Sequence, residues 1–284
     1  MCIRDRVWAH PELFQLDPQT SAPQVVAGVP PDYFSKTGQR WGNPLYRWQD
    51  ENAQPIAAVY DWWVKRVRST FEIVDLVRID HFRGLEAYWS IPASEETAMN
   101  GQWRKGPGAT LFSQIREVLG ELPVIAEDLG VITPEVEALR LQFGFPGMKI
   151  LQFAFNDDTR NPYLPHNYPD SRSVVYTGTH DNDTTLGWFR SARPETRASI
   201  LRYVGRRNTR DIHWQLIRLA WSSIAALAVI PLQDVLGLGN EARMNLPGQL
   251  EGNWRWRYLP DALRPELGER LADLTALYGR EGLK

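Results

Sequence analysis

Three acidic side chains stand close behind short apolar segments, a placement that suits the cleavage of a bond between two sugars. They are Asp80, Glu127 and Asp181. If the apolar segments are neighbouring parallel strands, their ends lie about 5 Å apart, so acids at those ends can face one another across a substrate. Retaining cleavage of a glycosidic bond uses two carboxyl groups about 5–5.5 Å apart, one as nucleophile and one as acid/base. The residues therefore predict a sugar-processing site.

Each of these residues also has a structural interpretation. A single Asp behind a strand is more often a turn residue or a helix N-cap, and we expect Asp128 to be such a cap. His81 and His180, which adjoin two of the acids, are individually more typical of structural histidines. The combination of three strand-end acids, two with a neighbouring His, favours catalysis.

Other catalytic patterns do not occur in the sequence. It contains neither the zinc pattern H-E-x-x-H nor a cysteine cluster, and it lacks the nucleophile motif G-x-S-x-G. No G-x-G-x-x-G follows a strand and no G-x-x-x-x-G-K-[ST] is found, so a nucleotide site has no support.

After residue 71, strand and helix patterns alternate along the sequence, which is typical of a βα-repeat with a parallel sheet. The predicted strands are Ile73–Ile79, Val124–Ile125, Ile150–Phe155, Val174–Tyr176 and Ala228–Leu232. The predicted helices are Thr110–Leu119, Thr133–Phe143, Pro194–Gly205, Thr209–Ala226 and one or two within Pro260–Tyr278. Acids at strand ends favour a (β/α)8 barrel, in which those ends carry the chemistry, over an open doubly wound sheet.

The first 70 residues have a different character. Ser21–Asp50 is rich in Pro, Gly, Tyr and Trp with little periodicity, which indicates a functional loop region rather than a linker. Several of the 12 tryptophans lie near the polar motifs, where they could either stack on sugar rings or belong to an aromatic core. These are Trp41, Trp48, Trp62, Trp63, Trp89 and Trp103.

Composition narrows the possible partners and compartment. The net charge of −2 gives no basic excess for a polyanion, and the longest strongly apolar stretch, Ile224–Leu232, is too short to span a bilayer. No apolar signal segment is visible at the N-terminus, and Cys2 is the single cysteine. We expect a cytoplasmic protein that binds neither nucleic acid nor a membrane, and its oligomeric state is left open.

Longer motifs carry a specific resemblance. Residues 26–35 read Val-Ala-Gly-Val-Pro-Pro-Asp-Tyr-Phe-Ser, residues 38–46 read Gly-Gln-Arg-Trp-Gly-Asn-Pro-Leu-Tyr, and residues 241–248 read Glu-Ala-Arg-Met-Asn-Leu-Pro-Gly. With the three acid motifs, they make the chain resemble the amylomaltases, also called 4-α-glucanotransferases or disproportionating enzymes, of the α-amylase superfamily. The Pro-Pro-Asp-Tyr-Phe segment discriminates better than the acids, which related hydrolases share.

The resemblance implies a role for each motif. Asp80 would be the nucleophile, kept charged by Arg78 beside it, Glu127 the acid/base, and Asp181 the third acid that binds sugar hydroxyls together with His180. Acceptor-site and other cleft contacts would come from Asp32, Tyr33, Phe34, Trp41 and Asn245. The implied substrates are maltooligosaccharides and α-glucans, and neither a metal nor an organic cofactor is required.

The resemblance also implies an incomplete barrel. Strands 4–8 of a (β/α)8 TIM-type barrel would be present and strands 1–3 missing, with residues 1–6 a non-native leader. Residues 7–70 would form a loop-rich insertion that carries the acceptor-site loop, and residues 71–284 the C-terminal part of the catalytic barrel. Because an open barrel exposes strand edges, we expect the chain alone to be unstable or inactive. An α-glucan hydrolase and an inactive glucan-binding fragment are the alternatives to a transferase.

Overall fold

A computed structural model describes residues 4–32, 35–156, 158–249 and 251–282 of the chain. The chain divides into two compact units, residues 1–146 and residues 147–284. The first unit contains the strand ends that bear Asp80 and Glu127, and the second contains the loop that bears Asp181.

The first unit combines five helices with six strands among its described residues. In chain order they are α1 (Arg4–Ala9), β1 (Val25–Val29), β2 (Gln39–Pro44), α2 (Ala57–Phe71), β3 (Val77–Ile79), α3 (Arg83–Glu86), β4 (Ala87–Pro92), β5 (Gln102–Lys105), α4 (Gly108–Leu119), β6 (Val124–Ala126) and α5 (Pro134–Gln142).

Two sheets organise this unit. An antiparallel sheet has the strand order β2-β1-β4-β5, whereas β3 and β6 form a separate parallel pair in which Arg78 lies opposite Ile125 and Ile79 opposite Ala126. The rings of Phe82, Phe112 and Phe145 pack together in the core, with centroids 5.1 to 6.1 Å apart. The parallel pair therefore ends next to a rigid aromatic core, which fixes the start of the segment behind β3.

The second unit is built on a three-stranded parallel sheet in the order β7-β8-β9. Its elements are β7 (Gly147–Ile150), β8 (Ser173–Tyr176), α6 (Thr185–Ser191), α7 (Pro194–Tyr203), α8 (Ile212–Trp221), β9 (Leu227–Val229), α9 (Leu232–Val235) and α10 (Pro265–Leu277). Val174 and Val175 of the central strand β8 are fully buried. Alternating strands and helices with parallel pairing confirm the predicted α/β class for this part of the chain.

Most predicted elements overlap an observed one, but several bounds are corrected. The strand predicted over Ile73–Ile79 begins at Val77, and the helix predicted over Thr209–Ala226 spans Ile212–Trp221. Two further strands end earlier than predicted. The strand predicted over Ile150–Phe155 spans Gly147–Ile150 instead, and a 3-10 turn follows over residues 151–153. The strand predicted to reach Leu232 ends at Val229, and Leu232 begins α9. In both places a continuous apolar run was taken as one strand, because hydrophobicity alone does not separate a strand from a buried turn behind it.

The structure also reassigns Asp128. Helix α5 begins at Pro134 after Thr133, at the start of the range predicted for it, so the expectation that Asp128 is the N-cap was wrong. Asp128 instead lies 3.2 Å from the Arg140 Nε, within an ion pair whose two side chains are largely covered. The acid thereby fixes the segment behind β6 against α5.

Strand β1 pairs with β4, so the antiparallel sheet draws on residues from both sides of position 70. The predicted division of the chain at that position stays a prediction. Within the described residues, no helix combines the length and the apolarity that crossing a bilayer requires.

Candidate active site

Asp80 and Glu127 directly follow the paired strands β3 and β6. The parallel pairing continues to this point, because the Glu127 N–H donates to the Ile79 carbonyl oxygen at 3.0 Å. The Phe82 N–H then donates to the Glu127 carbonyl oxygen at 3.1 Å. The backbones of the two acids are therefore held side by side at the carboxyl ends of adjacent strands, as predicted from the sequence.

Arg78 balances the charge of Asp80. Its Nη1 lies 2.8 Å from the Asp80 Oδ1, and the Arg78 side chain is largely covered while that of Asp80 is 75% exposed. In a strand, residues two apart point to the same face, which is why Arg78 and Asp80 meet. The acid is thus held by a partly buried cation and remains open to a substrate.

Glu127 has a different environment. Burial raises its pKa from 4.5 to about 7, against the opposing charge of Arg78 and with a smaller contribution from the negative charge of Asp80. The His81 N–H donates to the Glu127 Oε2 at 2.6 Å and stabilises the ionised form. Two neighbouring carboxyl groups, one exposed beside a cation and one desolvated, have the asymmetry that a nucleophile and an acid/base require.

In the second unit, Asp181 is the centre of a polar cluster. The Asn245 Nδ2 donates to the Asp181 Oδ1 at 2.6 Å, and the His180 Nε2 lies 3.3 Å from Oδ2. Arg243 joins the two segments by donating to the carbonyl oxygens of Asp181 and Asn245, at 2.7 and 2.9 Å. Three residues predicted from two separate motifs, His180 and Asp181 from one and Asn245 from the other, are therefore in direct contact.

Two further members of this cluster were not predicted. Arg243 lies within the motif at residues 241–248 and could have been found there, two positions before Asn245. Trp254 lies 5.3 Å from His180 between ring centroids and is 55% exposed. It belongs to an irregular segment without periodicity, so no sequence signal distinguished it from the other tryptophans.

Asp234 is a buried acid that holds the segment around the cluster. Its carboxylate, 1% exposed, accepts from the Thr177 Oγ1 at 2.5 Å and from the Thr185 N–H and Oγ1, both at 2.7 Å. Burial raises its pKa, and these three donors oppose the shift. Thr177 follows β8 and Thr185 begins α6, so Asp234 joins the two ends of the loop that carries His180 and Asp181.

The residues predicted for acceptor sugars are only partly described. Trp41 on β2 is 45% exposed, and its ring centroid lies 4.8 Å from that of His81, so it belongs to the neighbourhood of Glu127. Asp32 is exposed and closes a turn by accepting from the Ser35 N–H at 2.8 Å. Tyr33 and Phe34 lie outside the described residues.

The remaining tryptophans differ in burial and in contacts. Trp48 is buried in the core of the first unit, which is the structural role. Trp103 is 41% exposed and packs against Trp89, and the Arg83 guanidinium lies 4.0 Å from its ring centroid. Among the described residues, no three His, Cys, Asp or Glu side chains form a group that could hold a metal ion.

Comparison with known proteins identifies similar chains. The family model described as 4-alpha-glucanotransferase matches residues 5–262. The chain is 60% identical to a 4-alpha-glucanotransferase of Thermus thermophilus over 271 residues, which are 93% of this chain and 53% of the relative. It is 56% identical to that of a Synechocystis species over 275 residues, which are 96% and 54%. The chain thus spans about half the length of the curated relatives it matches.

The structure of an amylomaltase from Streptococcus agalactiae in complex with acarbose is also similar. It superposes with a TM-score of 0.90 at 39% sequence identity, over 96% of this chain and 54% of that one. An amylomaltase from Corynebacterium glutamicum, 20% identical with a TM-score of 0.70, shares the fold.

Proposed function

The chain belongs to the 4-alpha-glucanotransferase family, and on this premise we propose that it carries the acids with which such an enzyme transfers α-1,4-glucan segments to glucose or maltooligosaccharides. The observation that carries the proposal is the pairing of β3 with β6, which places Asp80 and Glu127 side by side in different electrostatic environments. The proposed substrates are maltooligosaccharides and α-glucans.

The first half of the proposed reaction forms a covalent intermediate. The Asp80 carboxylate attacks the anomeric carbon of a bound glucosyl unit, while the bond from that carbon to the leaving oxygen breaks. Glu127 gives its proton to the leaving oxygen, so the shortened glucan departs as an alcohol. A pKa of about 7 leaves a large share of Glu127 protonated near neutral pH, as this step requires.

The second half reverses these roles. The ionised Glu127 takes the proton from an acceptor hydroxyl, whose oxygen attacks the anomeric carbon and displaces Asp80. Two displacements at one carbon retain its configuration. The protein supplies its own nucleophile, so the reaction needs no metal and no organic cofactor.

The second unit is proposed to bind the sugar hydroxyls. Asp181 and His180, both partly exposed, present an acceptor and a ring nitrogen within a cluster whose geometry Asn245 and Arg243 fix. A preformed cluster holds a sugar ring in a distorted conformation at a smaller entropic cost than mobile side chains would. We propose Asp181 as the third acid and His180 and Asn245 as substrate contacts.

Transfer in place of hydrolysis requires an acceptor sugar to compete with water. We propose that the segment with Asp32, Tyr33 and Phe34, together with Trp41, binds the acceptor and excludes water. Trp41 supports this part of the proposal. Its exposed indole offers a flat surface near Glu127, because it contacts the ring of His81, whose N–H donates to the Glu127 carboxylate. Orienting one hydroxyl at the intermediate raises its effective concentration over that of water.

The fold proposal follows the same family. We propose that β3, β6, β7, β8 and β9 correspond to strands 4–8 of a (β/α)8 TIM-type barrel. Their parallel pairing and the similarity to a solved amylomaltase support it. Residues 71–284 would then be barrel and the loop-rich residues 7–70 an insertion.

Trapping the intermediate tests the nucleophile and the acid/base together. A maltosyl fluoride has a leaving group that needs no protonation, so Glu127→Gln should still react with it while failing to activate an acceptor. In a folded and active chain, a maltosyl group should accumulate on the peptide that contains Asp80, seen by mass spectrometry after digestion. The double variant Asp80→Asn, Glu127→Gln should remain unlabelled.

Asp75→Asn is the matched control, since Asp75 is an exposed acid shortly before β3 and should leave labelling unchanged. Label on another acid would refute the assignment of Asp80. Incubation with maltotriose then separates the functions: glucose with a ladder of longer chains indicates transfer, whereas only shorter products indicate hydrolysis. Glucan binding without any product would indicate an inactive binding fragment.

A further inference from the structure

His81 touches both Glu127 and Trp41. Its backbone N–H donates to the Glu127 Oε2 at 2.6 Å, and its ring stands nearly perpendicular to the Trp41 indole with centroids 4.8 Å apart. The catalytic scheme above uses Glu127 and Trp41 but gives no role to the residue between them.

The backbone of His81 adopts an unusual conformation. Its φ is +48°, in the left-handed region that a residue with a Cβ rarely occupies, and Phe82 returns to a right-handed conformation. Consecutive N–H groups in such an arrangement converge on one acceptor region. Here both are directed to Glu127, the His81 N–H to the side chain and the Phe82 N–H to the carbonyl oxygen.

The imidazole fills a close-fitting space without adding charge. Its Nε2 is buried and has no hydrogen-bond partner among the described residues. A Cβ on Gly84 would lie 3.0 Å from the His81 Cδ2, so the ring packs closely against the glycine. Burial, with the nearby charge of Arg83, lowers the pKa of His81 to about 4, so the ring is neutral at neutral pH.

We propose that His81 is a positioning residue, whose left-handed backbone holds the Glu127 carboxylate through its N–H while its neutral ring supports the indole of Trp41. The proposal rests on the acid/base role of Glu127 but is tested without turnover, so the two can fail separately. Such backbone conformations persist where the surrounding structure enforces them and are concentrated at functional sites.

The hydrogen bond from the His81 N–H lowers the pKa of Glu127, whereas burial raises it. The charged groups facing Glu127 are Arg78, which favours the ionised form, and Asp80, which disfavours it. Asp128, next in sequence, is paired with Arg140. A donor lost from the carboxylate leaves the burial and these charges in place, so the pKa of Glu127 should rise.

The test is a titration of Glu127 in a series of His81 variants of the full chain. Carboxyl-labelled glutamate gives a carbon resonance that Glu127→Gln assigns. All three variants keep a backbone N–H. Gly and Asn at position 81 tolerate the left-handed backbone that directs this N–H to Glu127, whereas the branched Cβ of Val disfavours it. We expect Gly and Asn to leave the pKa of Glu127 near its original value and Val to raise it by about one pH unit.

If the pKa of Glu127 rose as much in the Gly and Asn variants as in the Val variant, the proposal would be overturned, because the effect would then come from loss of the imidazole. An unchanged pKa in the Val variant would overturn it as well. If His81→Val does not fold, His81→Ala replaces it, because the Cβ of Ala also disfavours a positive φ. A pKa of Glu127 that rises in the Ala variant but not in the Gly variant supports the proposal.

The contact between the His81 ring and the Trp41 indole is tested by a separate NMR measurement. The indole N–H resonance of Trp41, assigned with Trp41→Phe, should shift in His81→Gly because the neighbouring ring is lost. A control, Trp103→Phe, removes a more distant indole and should leave the Trp41 resonance in place. An unmoved Trp41 resonance in His81→Gly would refute the supporting role of the ring.

Discussion

Replacing Glu127 by Gln should stabilise the folded chain at alkaline pH, although it removes the proposed acid/base. The burial that raises the pKa of Glu127 from 4.5 to about 7 is a cost to folding whenever the carboxyl is ionised. Glutamine has nearly the same shape and is never charged. The substitution therefore removes the desolvation cost and leaves the packing almost unchanged.

The size of the effect follows from linkage. Between pH 4.5 and about 7 the folded state binds more protons than the unfolded chain, so the free energy of unfolding falls as the pH rises through this window. A separation of about 2.5 pH units corresponds to about 3 kcal/mol. Relative to wild type, Glu127→Gln should gain about this amount between pH 4 and pH 8.

The pH dependence of the free energy of unfolding of the wild type does not isolate the contribution of Glu127, because His81 also contributes to it. Its pKa is lowered from 6.5 to about 4, so the unfolded chain binds more protons in that window and the contribution of His81 to stability is lost as the pH falls. Between about pH 4.5 and 6.5 the two groups act in opposite directions and nearly cancel. The quantity to follow is therefore the difference between variant and wild type.

Urea unfolding followed by tryptophan fluorescence, repeated from pH 4 to pH 8, measures this difference. Glu117→Gln is the control, because Glu117 lies exposed on α4 and its replacement should change the free energy of unfolding by less than about 0.5 kcal/mol at every pH. Stability curves of Glu127→Gln and wild type that stay parallel over the whole range would refute the desolvation of Glu127, and with it the reasoning for its acid/base role.

Two other substitutions test the structure around the site. Asp234→Ala leaves the three buried donors of its carboxylate without an acceptor, so it should lower the free energy of unfolding by about 3 kcal/mol, and a loss below about 1 kcal/mol in urea unfolding would contradict its role. Gly28→Ala places a Cβ against the Gln39 carbonyl oxygen between β1 and β2 and should cost about 3 kcal/mol in thermal or urea unfolding. Gly268→Ala, in open space on α10, should instead stabilise by about 0.5–1 kcal/mol; equal effects of the two glycine substitutions would refute the close approach at Gly28.

The predicted fold is most accurate where the sequence signal is local. The strands that end before Asp80 and Glu127 are short β-branched runs closed by polar residues, and α5 begins at the Thr-Pro pair that predicts it. The strand predicted to reach Phe155 was wrong, because the apolar residues behind Ile150 are buried by packing rather than by strand pairing. Periodicity records that a residue is buried but not which partner buries it.

In the candidate site, too, the residues with a local sequence pattern were predicted, whereas those defined by tertiary contacts were not. The acids were found from their position behind strands, and the resemblance to amylomaltases added roles for His180 and Asn245. Trp254 was missed because a tryptophan in an irregular segment carries no pattern. Asp128 was misassigned because its partner, Arg140, is distant in sequence and becomes a neighbour only through the turn between β6 and α5.

The sequence by itself determined which residues are candidates for the chemistry, the parallel strands that alternate with helices outside the antiparallel sheet, and the family. These features depend on composition, spacing and local propensity, which a linear chain contains. Only the tertiary structure decided that Glu127 is desolvated while Asp80 is open to solvent, and that the backbone of His81 adopts a left-handed conformation to donate to Glu127. Burial and hydrogen-bond direction depend on residues that are far apart in the chain, so the electrostatic difference between two similar acids exists only after the chain has folded.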